Sequence, residues 1–145
     1  MKDLRECIEF HFEDVIVDGF VNDDTAAWIR KVIENEGRDP GHLNFVFCSD
    51  EYLLRINREY LQHNDYTDII TFDYTEDLEG ISGDVFISYD RVKENSKKFG
   101  VTTQEELYRV IVHGVLHLLE YKDVGAAEKK EMRAKENYYL SLLSL

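Results

Sequence analysis

The chain has 145 residues, the length of one ordinary domain, and with 43% hydrophobic and 12% aromatic residues it carries far too much core-forming material to be disordered despite 32% charge. Thirty acidic residues against seventeen basic ones leave a formal charge of -13, which repels polyanions at long range and excludes a large non-specific nucleic-acid surface. Any RNA contact has to rest on a local basic patch. No apolar run reaches the ~20 residues of a membrane helix, and Met1-Lys2-Asp3-Leu4-Arg5-Glu6 lacks the apolar stretch of a secretory leader. The expectation is a soluble cytoplasmic protein with no membrane partner.

In chain order, residues 7–12 (Cys-Ile-Glu-Phe-His-Phe) alternate as a strand, and Asn22 or Asp23 caps a helix running to about Glu36-Gly37, with Ala26, Ile29, Val32 and Ile33 inward and Trp28 in the core. Asp39-Pro40-Gly41 reads as a turn. Residues 43–48 form a second strand, and Ser49 or Asp50 caps a short helix through Leu53, Leu54, Ile56 and Tyr60. Ile69–Phe72 and Asp84–Tyr89 are two further strands, joined by an acidic hairpin loop from Glu76 to Gly83. From there the pattern is helical: about Asp90 to Phe99 with a break at Gly100, then a capping-box signature at Thr102-x-x-Glu105 or Thr103-x-x-Glu106 opening a helix to about Leu119, and a last helix from about Gly125 to Leu143. Cys7 and Cys48 make neither a metal pair nor a disulfide framework and are expected as buried reduced thiols. With no repeat and no low-complexity segment, the expected fold is a single α+β domain over 1–145, a mixed four-stranded sheet packed with helices.

The segment His113-Gly114-Val115-Leu116-His117 puts two imidazoles four residues apart on one helix face, where both can reach a common ion. Asp123 follows past the helix end, where a returning chain brings a carboxylate to the same point. Three N/O ligands with a fourth position open to water or substrate describe a catalytic rather than a structural zinc site. A histidine pair alone is weak evidence, and Asp123 serves equally well as the N-cap of the last helix.

The string from His113 to Asp123, H-G-V-L-H-L-L-E-Y-K-D, resembles the H-G-x-L-H-L-x-G-Y-D-H signature of the YbeY family of bacterial ribosomal-RNA maturation factors. Upstream, Ile56-Asn57-Arg58-Glu59-Tyr60, Thr67-Asp68-Ile69-Ile70-Thr71-Phe72 and Gly83-Asp84-Val85-Phe86-Ile87-Ser88 are similar to that family's other blocks, in the same order. The resemblance covers about residues 43 to 140. It implies a single-strand-specific, metal-dependent endoribonuclease that matures the 3′ end of small-subunit rRNA, with one zinc per chain or another divalent transition metal, and a zincin-like (metalloproteinase-like) fold. The partners it implies are small-subunit rRNA and the ribosome, with a ribosomal protein or an assembly GTPase as further candidates, and not DNA.

Three departures qualify the resemblance. Asp123 stands where the family carries a third histidine, which keeps a competent ligand but adds negative charge to the site. Glu120 replaces the glycine before the motif tyrosine, so the helix has to end without the residue that most cheaply takes positive φ, and Glu120 is itself an alternative ligand or base. Leu61 takes the place of the arginine that follows the motif tyrosine in many members, which leaves Arg58 as the nearest candidate for a catalytic cation.

Zinc peptidases of the His-Glu-x-x-His type carry a glutamate directly after the first histidine, where this chain has Gly114, which argues against a peptidase. Asn57, Thr67 and Thr71 are candidates to contact substrate or shape the pocket. Arg91, Lys93, Lys97 and Lys98, with Arg55 and Arg58 upstream, form the best candidate for a phosphate-facing surface, Lys97 and Lys98 above all. Two readings stay open: a metal-dependent endoribonuclease, favoured by the open coordination position, and a ribosome-assembly binding factor with a mainly structural zinc, favoured by Leu61. A zinc peptidase or amidohydrolase is the weaker third.

Overall fold

Alternating apolar and polar residues build β1 (Cys7–Phe12), and more continuous apolar runs build β2 (Pro40–Cys48), β3 (Ile69–Asp73) and β4 (Ile81–Ser88), in one sheet of order β1-β2-β4-β3. The first three of these neighbours run parallel, and the edge strand β3 is antiparallel to β4. The structure, a computed structural model, describes residues 7–17, 19–76 and 80–143. The Cys7 side chain, and residues 77–79 of the expected hairpin loop, lie outside the described residues.

Five helices among the described residues complete the fold: α1 (Asp23–Asn35), α2 (Asp50–Leu61), α3 (Tyr89–Phe99), α4 (Thr103–Leu118) and α5 (Ala126–Ser141). Side-chain caps start four of them. Asn22, Ser49, Ser88 and Thr102 accept from the first-turn amides of α1, α2, α3 and α4, satisfying donors that a helix start leaves without partners.

The two faces of the sheet are covered unequally. Leu43, Phe45, Phe47, Val85 and Ile87 face the main core, built with Ile29 and Val32 of α1, Leu107, Ile111 and Val115 of α4 and Tyr139 of α5. Trp28 belongs to it, its ring edge-on to Tyr108 at 5.4 Å and its Nε1 donating to the Tyr139 carbonyl at 3.0 Å, which ties α1, α4 and α5 together. The opposite face carries a smaller cluster of Cys48, Leu53 and Ile70 under α2. Burial, followed by the surrounding acids, pushes the Cys48 thiol up to about 12, so it is the reduced, inert residue expected of it.

Two expectations are corrected. Pro40 opens β2 instead of marking a turn, at the one position of a strand where a missing N–H costs little. Both central strands begin three residues earlier than their apolar cores indicate, because Gly41, Gly80 and Gly83, turn signals in the sequence, sit where backbones approach closely. A Cβ on Gly41 would lie 2.9 Å from the Gly80 carbonyl, and one on Gly83 would press on the Phe72 carbonyl. In addition, the last helix is capped by Gly125, so the cap reading of Asp123 does not hold.

Candidate metal centre

The site is carried by α4, the most deeply buried helix, and Gly114 sets its distance from the sheet. A Cβ there would stand 2.9 Å from both Ile69 Cδ1 and Val85 Cγ1, so no side chain fits and the helix backbone lies directly on β3 and β4. A glutamate at this position, the peptidase arrangement, would have to displace those two side chains. His113 and His117 emerge on the flank next to α5, half-buried.

Helix α4 ends in a Schellman turn. Glu120 N–H donates to the His117 carbonyl at 2.9 Å and Tyr121 N–H to the Leu116 carbonyl at 3.0 Å, with Glu120 in the left-handed region at φ 75°. A glutamate therefore takes the conformation that glycine adopts most cheaply, at a cost of roughly 1 kcal/mol. The turn presents the Tyr121 carbonyl 3.0 Å from His117 Nδ1. Tyr121 is held in place by its hydroxyl, which donates to Glu36 at 2.6 Å.

His113 is oriented differently. Its Nδ1 lies 2.7 Å from Glu136 Oε2, and Arg109 Nη1 donates to the other oxygen of that carboxylate at 3.0 Å. A carboxylate and a carbonyl can only accept, so both Nδ1 atoms carry the proton and both Nε2 atoms present lone pairs.

Those lone pairs converge. The two Nε2 atoms are 3.0 Å apart, and Asp123 Oδ2 lies 3.3 Å from that of His113 and 3.6 Å from that of His117. Donors about 2.0–2.1 Å from a zinc ion stand roughly 3.3 Å from one another in a tetrahedron. Three electron-rich atoms this close repel one another unless a cation or a proton lies between them, so the donor set fits a metal ion. Among the described residues it is the one group of three such side chains whose ligating atoms meet within 4.8 Å. Glu120 is exposed and outside it.

The cleft beside the ligands, about 340 Å³, runs between α4 and α5 past Asp68, Arg109 and Glu136 to Glu106 and Phe99. Burial alone would depress the His113 imidazolium, but the Glu136 hydrogen bond and the charges of Glu136, Asp123 and Asp68 outweigh it and raise its pKa. Asp68 is pushed up by burial, partly offset by His113 and Arg91. Glu106 is raised to about 6, by burial first, with Arg109 pulling it back and Asp68 pushing it further.

His113, His117 and Asp123 come together as the sequence leads one to expect. The other candidates lie apart from the lining of that cleft. Arg58 is exposed on the last turn of α2 and donates through Nε to Asn64 Oδ1 at 2.5 Å. Buried Asn57 donates to the Asp65 carbonyl at 2.7 Å and so shapes the loop after α2. Thr67 donates to the Ile69 carbonyl at 3.4 Å, and Thr71 faces Gly114 from β3. Lys97 and Lys98 are exposed in the last turn of α3, next to Phe99. Arg91 is taken up by Asp50 and Glu94, and Lys93 lies over the Tyr89 ring. Glu136, Arg109, Glu106 and Asp68 were not singled out by their sequence context. A signal existed for two of them: Glu106 and Arg109 precede His113 at seven and four residues, on the same flank of α4.

A mixed sheet that carries a three-donor site with an open side on a buried helix defines the class of metal-dependent hydrolases. Comparison narrows the class. The family model described as Endoribonuclease YbeY matches residues 12–144. A protein of Parabacteroides distasonis named Endoribonuclease YbeY is 45% identical over 136 residues, covering 94% of this chain and 95% of that one. The protein of the same name from Cytophaga hutchinsonii is 47% identical over 138 residues, covering 95% and 96% respectively. The solution structure of TM1509 from Thermotoga maritima shares the fold, with a TM-score of 0.67 at 23% identity over 93% of this chain and 87% of that one. The chain belongs to the YbeY endoribonuclease family.

Proposed function

We propose that this chain is a zinc-dependent, single-strand-specific endoribonuclease that matures the 3′ end of small-subunit rRNA in the cytoplasm and acts over 1–145 as one unit. The observation that carries the reading is the convergence of His113 Nε2, His117 Nε2 and Asp123 Oδ2 on one point at the edge of an open cleft, in a chain whose relatives are named endoribonucleases. When bound, zinc would supply Lewis acidity toward a phosphoryl oxygen and bring the pKa of water near neutrality.

The chain's own residues do the rest. Glu136 and the Tyr121 carbonyl keep the two Nδ1 protons in place, so that both imidazoles present their Nε2 lone pairs. Arg109 balances the Glu136 charge inside the fold. Lys129 and Arg133, on the α5 side of the cleft, supply the cations that a phosphate backbone needs on so acidic a molecule. Lys97 and Lys98 extend that surface, and Arg58 approaches the RNA from α2 with the loop that Asn57, Thr67 and Thr71 help to shape. A chain of charge -13 gains further from a partner that brings basic surface, such as a ribosomal protein, with an assembly GTPase as a second candidate.

A second reading, a non-catalytic assembly factor, is favoured by Leu61, which stands 41% exposed at the position where the resemblance leads one to expect an arginine. Incubating the zinc-loaded protein with single-stranded RNA, duplex RNA and small subunits bearing unprocessed rRNA separates the two. The enzyme reading requires cleavage of the single-stranded and ribosomal substrates, lost on chelation and in His113→Ala. Intact RNA, bound by a fully metallated and folded protein, would overturn it in favour of the assembly factor.

A further inference from the structure

Glu106 is 5% exposed, and among the described residues its carboxylate makes no hydrogen bond and no ion pair within 4.0 Å. Among the described residues no fully buried side-chain oxygen lacks a partner, so the unbonded Glu106 oxygens reach the water of the cleft, while burial of the rest of the side chain thins their hydration. Arg109, the nearest cation on the same flank of α4, donates instead to Glu136. The Glu106 carboxylate lines the cleft, two helical turns and about 10 Å along the axis from His113. Phe99, the last residue of α3, lines the same cleft and is 57% exposed, although hydrophobic burial elsewhere on this helix is complete at Val92. The fold thus holds an aromatic face open to solvent and an unpaired acceptor pair within one cavity.

We propose that this end of the cleft is a subsite for one unstacked base of single-stranded RNA, with Phe99 as its stacking face and Glu106 as the group that reads its edge, and that the base it selects is guanine. The proposal deepens the endoribonuclease reading and rests on it for the choice of RNA as ligand. Its chemistry follows from donors and acceptors. An ionised carboxylate only accepts, through two oxygens side by side. Guanine alone among the four RNA bases sets two N–H donors next to each other on its Watson–Crick edge, N1–H and the N2 amino group; adenine and cytosine each place one donor beside an acceptor. A carboxylate raised to about 6 is still ionised near neutral pH. Single-stranded RNA is commonly read in this way, by splayed bases stacked on aromatic rings and hydrogen-bonded along that edge. The volume, about 340 Å³, lies within the ~300–1,000 Å³ range of small-ligand sites, and Lys129 and Arg133 at its α5 side are placed to meet the attached phosphates. The spacing along α4 puts the selected base on a nucleotide near the one held at the metal ligands.

The test titrates guanosine, adenosine, cytidine and uridine 5′-monophosphates separately into the zinc-loaded protein at pH 7.5, following binding by NMR shifts of α3 and α4 amides. The expected result is that the guanine nucleotide binds about tenfold or more tighter than the other three, the scale of one well-made bidentate contact. Glu106→Gln, which keeps the volume and removes a charge, abolishes that preference and shifts it toward adenine and cytosine, whose edges a carboxamide matches with one donor and one acceptor. Phe99→Ala weakens all four by a similar factor, roughly tenfold, as loss of stacking does. Equal binding of the four, no binding of any, or guanine preference surviving in Glu106→Gln would overturn the subsite. Cleavage of single-stranded RNA measured on the same preparation keeps the two readings apart. Cleavage without guanine selection removes the subsite and leaves the enzyme, while guanine selection without cleavage removes the enzyme and leaves the subsite.

Discussion

One cleft holds two carboxylates of equal burial, and their surroundings are opposite. Glu136 and Glu106 are each 5% exposed. At the metal end, Glu136 accepts from His113 and from Arg109, so both its oxygens are occupied and its charge is balanced inside the fold. At the far end, Glu106 faces the cavity without a hydrogen bond among the described residues, and its pKa rises to about 6. The first arrangement fixes an imidazole; it is part of the scaffold. The second weakens the fold and persists at a cavity wall, the pattern expected of a group held ready for a ligand.

The contrast is broken most severely at Glu136. Glu136→Ala leaves Arg109 and the His113 Nδ1–H without their buried acceptor, and unfolding in denaturant should show a loss of about 2–4 kcal/mol. Chelator competition on the folded fraction should show metal affinity reduced by about 10- to 100-fold, the usual effect of removing a ligand's orienting partner. A variant as stable as the parent would place the support of His113 elsewhere.

Glu106→Gln should move stability the other way. The folded pKa, about 6, lies above the ordinary 4.5. Between those values the folded state binds more protons than the unfolded one, so the parent protein loses stability as pH rises through this window. Glutamine does not titrate. The variant's advantage should therefore be absent below about pH 4.5, grow up to about pH 6, and stay near 1–2 kcal/mol above it, read from unfolding curves at several pH values. A variant destabilised at neutral pH would mean that Glu106 has a partner in the folded protein.

The smallest effect concerns the turn that supports the other imidazole. Glu120→Gly relieves the positive φ and should stabilise the chain by about 0.5–1 kcal/mol, with no change in metal stoichiometry, since the Tyr121 carbonyl stays where it is. Loss of metal in this variant would show that Glu120 contributes more than backbone geometry.

Much of this was legible in the sequence, and what was not has physical causes. The first strand and the five helices announce themselves by periodicity and by caps, and Asn22, Ser49 and Thr102 cap where their side chains suggest. The ligand pair is local, four residues apart on one helix, and so is readable. Asp123 had two meanings until the fold put the helix cap at Gly125. Glu136 is a charged residue on a charged helix, and only the packing of α5 against α4 distinguishes it from its exposed neighbours Asn137 and Tyr138. Glu106 reads as a capping-box acid for Thr103, whereas Thr102 caps through Glu105 N–H and leaves Glu106 on the cleft side. The glycines of the central strands imitate turns because close backbone approach and a chain reversal favour the same residue.

The central claim is that His113, His117 and Asp123 together hold one metal ion, and zinc stoichiometry in the Asp123 series tests it most directly. The parent protein and Asp123→His should each carry about one zinc per chain, while Asp123→Ala should retain almost none at dilute metal, because two imidazoles alone bind zinc weakly. Full occupancy in Asp123→Ala, with the fold intact, would contradict the account.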